Sequence, residues 1–579
     1  GNCETAALVA DDGSIDWLCL PAFDGDPIFA RLLDARHGGF FALLDAASGR
    51  QPVPAGQRYQ PETAILETDL SLSGGSLVVT DLMPIASGDA SRPLLLRHIR
   101  ATAGTPSLVL QLRTSRDYGE AGAPLTTIAP GSEAEPGRAG LRVAMDAPQV
   151  ASHLPGVYTL RAGQAVTCAL WPATADKMSR PEDHYTGELA QARQFWATWV
   201  GACAYAGPYR ETVIRGAITL KLLSYAPTGA LLAAPTTSLP ERIGGSRNWD
   251  YRYTWVRDGA FTAQAFLALG FRREALAFSE WLGTRERLDA TEMRTMYTIR
   301  GRRDLPEYEA TALEGYRGSR PVRVGNGAAE QTQLDIYGEW LDFIERLYRD
   351  ESPPHWLCDL IIATVERVRA QWAEPDSGIW EVRSAPRHFV YSKVMCWVTI
   401  ERGLALAQRA GWPVDQAAWR ETAEAIRGSV LAHGVDPVTN AFRASYEVAA
   451  PDAANLMLAL VGFLPPDDPR IVATTDAIMR ELRDERGFIY RYRDLDDGVG
   501  GEEGTFVMCT CWLVENLALQ GREAEARDLF ARLRAHSGPT GLLSEMIDSA
   551  TGELLGNFPQ AFSHLGLIRA ALALGKLPH

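Results

Sequence analysis

No stretch of this 579-residue chain approaches the roughly 20 consecutive apolar residues of a membrane span. Basic blocks are also missing. Acidic side chains number 72 against 57 basic ones, a net charge of −15, which argues against nucleic acid or an anionic membrane as partner. No CxxC pair links the 8 cysteines, and the histidines show no HExxH or related ligand spacing, so neither a metal nor a cofactor is expected. A GxSxG elbow and a Walker loop are likewise absent, and the glycines from Gly498 to Gly504 do not fit GxGxxG spacing. The cysteines sit in apolar surroundings such as Val394-Met395-Cys396-Trp397. They read as free buried thiols, and with no signal-peptide pattern visible a cytoplasmic location is expected.

With 46% hydrophobic residues, the chain can bury more than one core, and its texture changes near residue 200. Before that point, short apolar or alternating runs are broken by Gly, Pro, Asp and Ser. Phe40-Phe41-Ala42-Leu43-Leu44, Ser76-Leu77-Val78-Val79-Thr80, Leu108-Val109-Leu110-Gln111-Leu112 and Leu141-Arg142-Val143-Ala144-Met145 are examples. They predict a mostly antiparallel β-sandwich over residues 1–195. From about Pro208 the period becomes helical. About twelve helices are expected, starting near residues 208, 257, 273, 328, 355, 391, 416, 452, 469, 504, 523 and 559. Paired helices in a toroid over 205–579, with loops gathered at one end, would accommodate them.

The most concentrated chemistry lies at Arg247-Asn248-Trp249-Asp250-Tyr251-Arg252-Tyr253-Thr254-Trp255-Val256-Arg257-Asp258. Aromatic rings alternate there with charged donors and acceptors, the palette that sugar C–H faces and hydroxyls need. An amphipathic strand entering a helix has the same pattern. Loop Leu313–Asn326 adds Arg317 and Arg320 among glycines. In the following helix Asp335 and Glu339 share a face with Gln331, beside Tyr337 and Trp340. Such a pair is either a solvated helix face or, near apolar bulk, a site where one carboxyl keeps its proton. Further candidates are Lys393 in an apolar helix, Arg491, Glu503 at a helix start, and Glu545 after an apolar pair in Gly541-Leu542-Leu543-Ser544-Glu545-Met546. Carboxylates, arginines and aromatics without other catalytic devices suit glycoside cleavage by an acid and a base.

At these segments, and at Asp12-Gly13-Ser14-Ile15-Asp16-Trp17, the chain strongly resembles glycoside hydrolase family 15, which includes glucoamylases, glucodextranases and bacterial-type trehalases. The resemblance covers nearly the whole chain. It implies a β-sandwich followed by an (α/α)6 barrel, and exo-acting hydrolysis of a terminal α-glucosyl residue with inversion. It further implies Glu545 as general base and Glu339 as general acid, although fungal-type members carry two adjacent glutamates where this chain has Gly338-Glu339. Trp249, Asp250, Trp255, Arg257, Asp258, Arg317, Arg320, Lys393, Arg491 and Glu503 are the expected sugar contacts. A phosphorylase using phosphate in place of water, and an inactive sugar-binding protein, are the alternatives. Trehalose is favoured by the Gly315–Asn326 loop, with maltose, isomaltose and longer glucans left open.

Overall fold

Glycine-marked turns between alternating runs give strands that bury one side each; Ser107–Arg113 hides every second residue. In this computed structural model the described residues are all except 86–93, 123–125, 128–132, 135–140, 147–155, 173–179, 290–292 and 577–579. Two seven-stranded antiparallel sheets form the N-terminal part. One follows the order Ala7–Val9, Ile15–Leu20, Phe40–Asp45, Ser107–Arg113, Thr126–Thr127, with Asp26–Phe29 and Val157–Thr159 attached at its sides. The other runs Glu133–Ala134, Leu141–Asp146, Ala165–Pro172, Leu95–Gly104, Gly75–Leu82, Leu66–Leu72, Val53–Tyr59. Leu108, Leu110 and Leu112 of the first sheet share a core with Val79, Ile99, Val143 and Leu170 of the second, the arrangement of a sandwich.

A helix not anticipated from the sequence, α1 (Pro181–Gly201), follows the strands. Its apolar signal is thin because only a narrow stripe is used. Ala192 packs on Trp171 and Leu96 of the second sheet, while Trp196 and Val200 meet Ile214 and Ile218 of the next helix. The stripe thus joins the β domain to the helices that follow.

Those helices are α2 (Arg210–Leu222), α3 (Val256–Ala268), α4 (Arg272–Asp289), α5 (Asp335–Leu347), α6 (His355–Gln371), α7 (Val390–Ala410), α8 (Gln416–His433), α9 (Met457–Leu460), α10 (Pro469–Glu481), α11 (Val507–Leu519), α12 (Glu523–Ala535) and α13 (Ala561–Leu574). An inner ring closes on itself: α3 packs on α5, α5 on α7, α7 on α9 and its 3-10 lead-in, that segment on α11, α11 on α13, and α13 on α3. The remaining six lie outside it, completing an (α/α)6 barrel. Two expected starts differ. The helix expected near residue 328 is a 3-10 turn, Gly327–Glu330, and α5 begins only at Asp335; the helix expected near 452 is a 3-10 turn that passes into the single turn of α9. Among the described residues no helix is long and apolar enough to cross a membrane.

The loops before α3, α7, α11 and α13 meet at one end of the barrel, where inner-helix N-termini present their positive dipole ends.

Candidate active site

One cavity opens among these loops, and Glu381 and Glu545, from separate loops, are among the carboxylates that line it. Glu381 belongs to the loop before α7. Its backbone is left-handed, φ 60°, a conformation that costs a non-glycine residue about 1–2 kcal/mol and persists only where its surroundings enforce it. Gln331 supplies part of that enforcement, donating from Nε2 to the carbonyls of Glu381 and Val382 at 3.2 and 3.1 Å. Neighbouring Trp380 is anchored by its indole N–H on Asp452 at 2.8 Å. Glu381 Oε1 then accepts from Trp255 Nε1 at 2.6 Å and from Arg257 Nη2 at 3.0 Å, leaving Oε2 free of both.

Glu545 is held by a small sheet in which Met546–Ile547 pairs with Thr505–Phe506 and Leu554–Leu555. Gly556 (φ 80°) backs it so closely that an added Cβ would stand 2.9 Å from Glu545 Cβ and Oε2. Only glycine fits there. From α13, Ser563 Oγ donates to the Ser544 carbonyl at 2.7 Å, and His564 Nε2 accepts the Leu543 N–H at 3.2 Å. Burial pushes His564 down to about 3, which keeps that acceptor lone pair available. Tyr251 Oη donates to Glu545 Oε1 at 2.7 Å. Burial and the adjacent Glu545 charge hold the phenol well above its ordinary value, so it remains a donor.

A chain of aromatic contacts joins the two carboxylates. Tyr251 touches Glu545, its ring meets Trp255 edge-on at 5.4 Å, and Trp255 touches Glu381. The cavity that both carboxylates line is also lined by these two rings.

Arg257 and Asp258, in the first turn of α3, also line the cavity. Burial pushes Asp258 up to about 7, against the opposing pull of Arg257. On the Glu545 side, Arg491 Nη2 donates to Glu241 Oε2 at 3.1 Å and its Nε to Glu503 Oε1 at 3.1 Å, while Arg247 pairs with Asp497 at 2.7 Å. Burial and then the negative charge of Glu241 raise Glu545 above the ordinary carboxylate range.

Residues 207–572 match the description "Glycosyl hydrolases family 15", and residues 1–159 match "Trehalase-like, N-terminal". The chain belongs to glycosyl hydrolase family 15. Among its family 15 relatives, a trehalase of Mycolicibacterium smegmatis is 38% identical, covering 99% of this chain and 89% of that protein. A trehalase of Thermoplasma volcanium is 35% identical, covering 99% and 92%. The fold matches a bacterial glucoamylase solved with acarbose at TM-score 0.71 and 12% identity, over 99% of this chain and 92% of that one.

Within this family 15 site, the structure sorts the residues singled out in the sequence. Trp249, Trp255, Arg257, Asp258, Arg491 and Glu545 line the cavity. Trp249 is partly exposed there, with Arg323 and Arg383 each 4.4 Å from its ring and its N–H on Glu241 at 3.0 Å.

The others lie elsewhere. Asp250 is fully buried in a two-point pair with Arg252, which continues to Tyr118 Oη and the Gly25 carbonyl of the β domain. Arg317 is exposed and paired with Glu553, and Arg320 is exposed with its Nε on the Glu314 carbonyl. Lys393 is buried and donates to the carbonyls of Trp372 and Glu374, tying down the loop after α6. Glu503 stands behind Arg491. Glu339 does not reach the cavity at all: its exposure is 0% and it lies under Tyr391. The acid role expected for it is therefore not available to it.

Glu381 and Trp380 were missed. The available signal was Gly378-Ile379-Trp380-Glu381-Val382-Arg383, an aromatic–carboxylate–arginine run in a loop between helices. Glu241, Tyr251 and Arg247 also belong to the lining.

Proposed function

We propose that this family 15 enzyme hydrolyses α,α-trehalose with inversion, Glu381 acting as general acid and Glu545 as general base. The observation that carries the reading is that these two carboxylates line one cavity, Glu545 bonded to Tyr251 and Glu381 to Trp255, with the two rings meeting edge-on between these contacts. Inverting glycosidases need their carboxyl groups roughly 6.5–9.5 Å apart, to admit the attacking water. Glu381 Oε2 protonates the bridging oxygen; Glu545, with Tyr251 beside it, takes a proton from water as that water attacks the anomeric carbon from the far face. Arg257 and Asp258 grip the hydroxyls of the glucosyl ring, and Trp255 packs against it. The trehalases that match over nearly the whole chain support trehalose as the substrate. Eight unpaired cysteines, six of them buried, fit a reducing compartment such as the cytoplasm.

Substrate choice is tested by glucose release from trehalose, maltose, isomaltose and maltotriose in phosphate-free buffer. Trehalose should be turned over with the highest kcat/KM; preference for another glucoside would refute the substrate assignment, and dependence on phosphate would refute hydrolysis.

Two further outcomes follow. Replacing Asp258 with Ala removes a charged hydrogen-bond partner of the substrate and should lower kcat/KM by about 10–100-fold, read in steady-state kinetics. The second concerns pH. A base must be ionised, so activity is lost as pH falls through the raised value of Glu545. Glu241→Gln removes the neighbouring negative charge that helps raise it, and should move this acid limb of the pH–rate profile to lower pH. An unmoved limb would mean that another group controls it.

A further inference from the structure

Glu339 and Asp335, one turn apart on α5, are both fully buried. Tyr391 Oη donates to Glu339 Oε1 at 2.8 Å, and Arg257 Nη1 lies 3.4 Å from Asp335 Oδ2. The other oxygen of each carboxyl, Glu339 Oε2 and Asp335 Oδ1, has no donor in reach. One helical turn apart on one face of α5, the two buried carboxyls interact directly with each other. Two carboxylates side by side would repel and leave both oxygens unpaired, whereas one proton shared between them satisfies both at once.

The surroundings decide which residue keeps it. Asp335 faces Arg257 and takes its charge from that pair. Glu339 faces a neutral phenol from α7, and burial with the Asp335 charge raises it well above the ordinary carboxylate value. The nearby Asp376, from the loop before α7, accepts Leu334 N–H and Ser392 Oγ on Oδ2, its Oδ1 also lacking a partner, and the Lys393 ammonium is turned to backbone carbonyls. Arg257 already serves Glu381, Asp258 and Asp335, so a further unpaired charge at Glu339 would have no compensation.

We propose that Glu339 is a positioning residue that donates a carboxylic acid–carboxylate hydrogen bond to Asp335, so that Asp335, together with Gln333, braces Arg257 against the acid Glu381. Gln333 contributes through its Oε1, which accepts from Arg257 Nη1 at 2.9 Å. The proposal rests on the reading of Glu381 as the acid.

The test compares Glu339→Gln, Glu339→Leu and Glu381→Gln in the full chain. A glutamine amide can still donate to Asp335 and accept from Tyr391, so Glu339→Gln should keep kcat on trehalose within about 5-fold of wild type. Leucine cannot, and the misplaced Arg257 should cost about 100-fold in kcat. Wild-type-minus-Glu339→Gln infrared difference spectra at pH 9 should show the C=O stretch of a protonated carboxylic acid, and this reading does not depend on Glu339→Leu folding. A loss in Glu339→Gln as deep as that in Glu381→Gln, or a carboxylate band in place of the acid band, would overturn the proposal. An unimpaired Glu381→Gln would instead reject the acid assignment, and the infrared band distinguishes the two failures.

Discussion

Glu381→Gln should lower kcat on trehalose by about 10³-fold, equivalent to about 4 kcal/mol of transition-state stabilisation. The leaving group is a sugar alkoxide, which departs only if protonated as the bond breaks. Glutamine keeps the shape and still accepts from Trp255 and Arg257, the two donors on Glu381 Oε1, but it has no proton to give. The loss should therefore fall on kcat far more than on KM. With α-glucosyl fluoride, whose fluoride leaves unprotonated, the same variant should stay within about 10-fold of wild type. Equal losses on both substrates would mean that Glu381 supports binding or structure rather than proton transfer.

Glu545→Ala should be at least as severe, about 10³–10⁴-fold in kcat on both substrates, because water then meets the anomeric carbon without a base. Tyr251, whose hydroxyl donates to Glu545 at 2.7 Å, offers no substitute, since its raised phenol does not ionise. Removing the side chain leaves space beside the backing glycine, Gly556. Azide, a nucleophile that needs no deprotonation, should enter there and restore turnover, forming a C–N bond as the glycosidic C–O bond breaks and Glu381 protonates the leaving oxygen. The product should be β-glucosyl azide, detected by NMR. Full activity in Glu545→Ala, or an α-azide, would contradict the assignment.

Much of this architecture could be read from the chain. Period-two burial in Ser107–Arg113 and the helical period after Pro208 carry the two domains because each element has one dry face. Helix α1 escaped because only Ala192, Trp196 and Val200 mark its buried stripe. In the site, Glu545, Arg257 and Asp258 stood out because charges in or beside apolar segments need a reason to be there.

Glu381, the proposed acid, escaped for the opposite reason. Everything that defines Glu381 is distant in sequence: its partners Trp255 and Arg257 lie 126 and 124 residues away. Glu339 drew attention instead because local pattern reports burial and a paired carboxylate, both of which it has, but not which cavity a side chain faces. Trp249 shows the same limit. Its place among alternating aromatics suggested a stacking surface, but not that guanidinium groups from residues 323 and 383 would stand against its ring.

The central claim, that Glu381 and Glu545 act across a water-sized gap on trehalose, is tested most directly by NMR of the glucose released before mutarotation. Inversion delivers the attacked glucosyl unit as the β anomer and frees the leaving glucose as α, so the first spectra should show the two anomers in equal amounts. Glucose released as the α anomer alone would mean retention, and would contradict this mechanism.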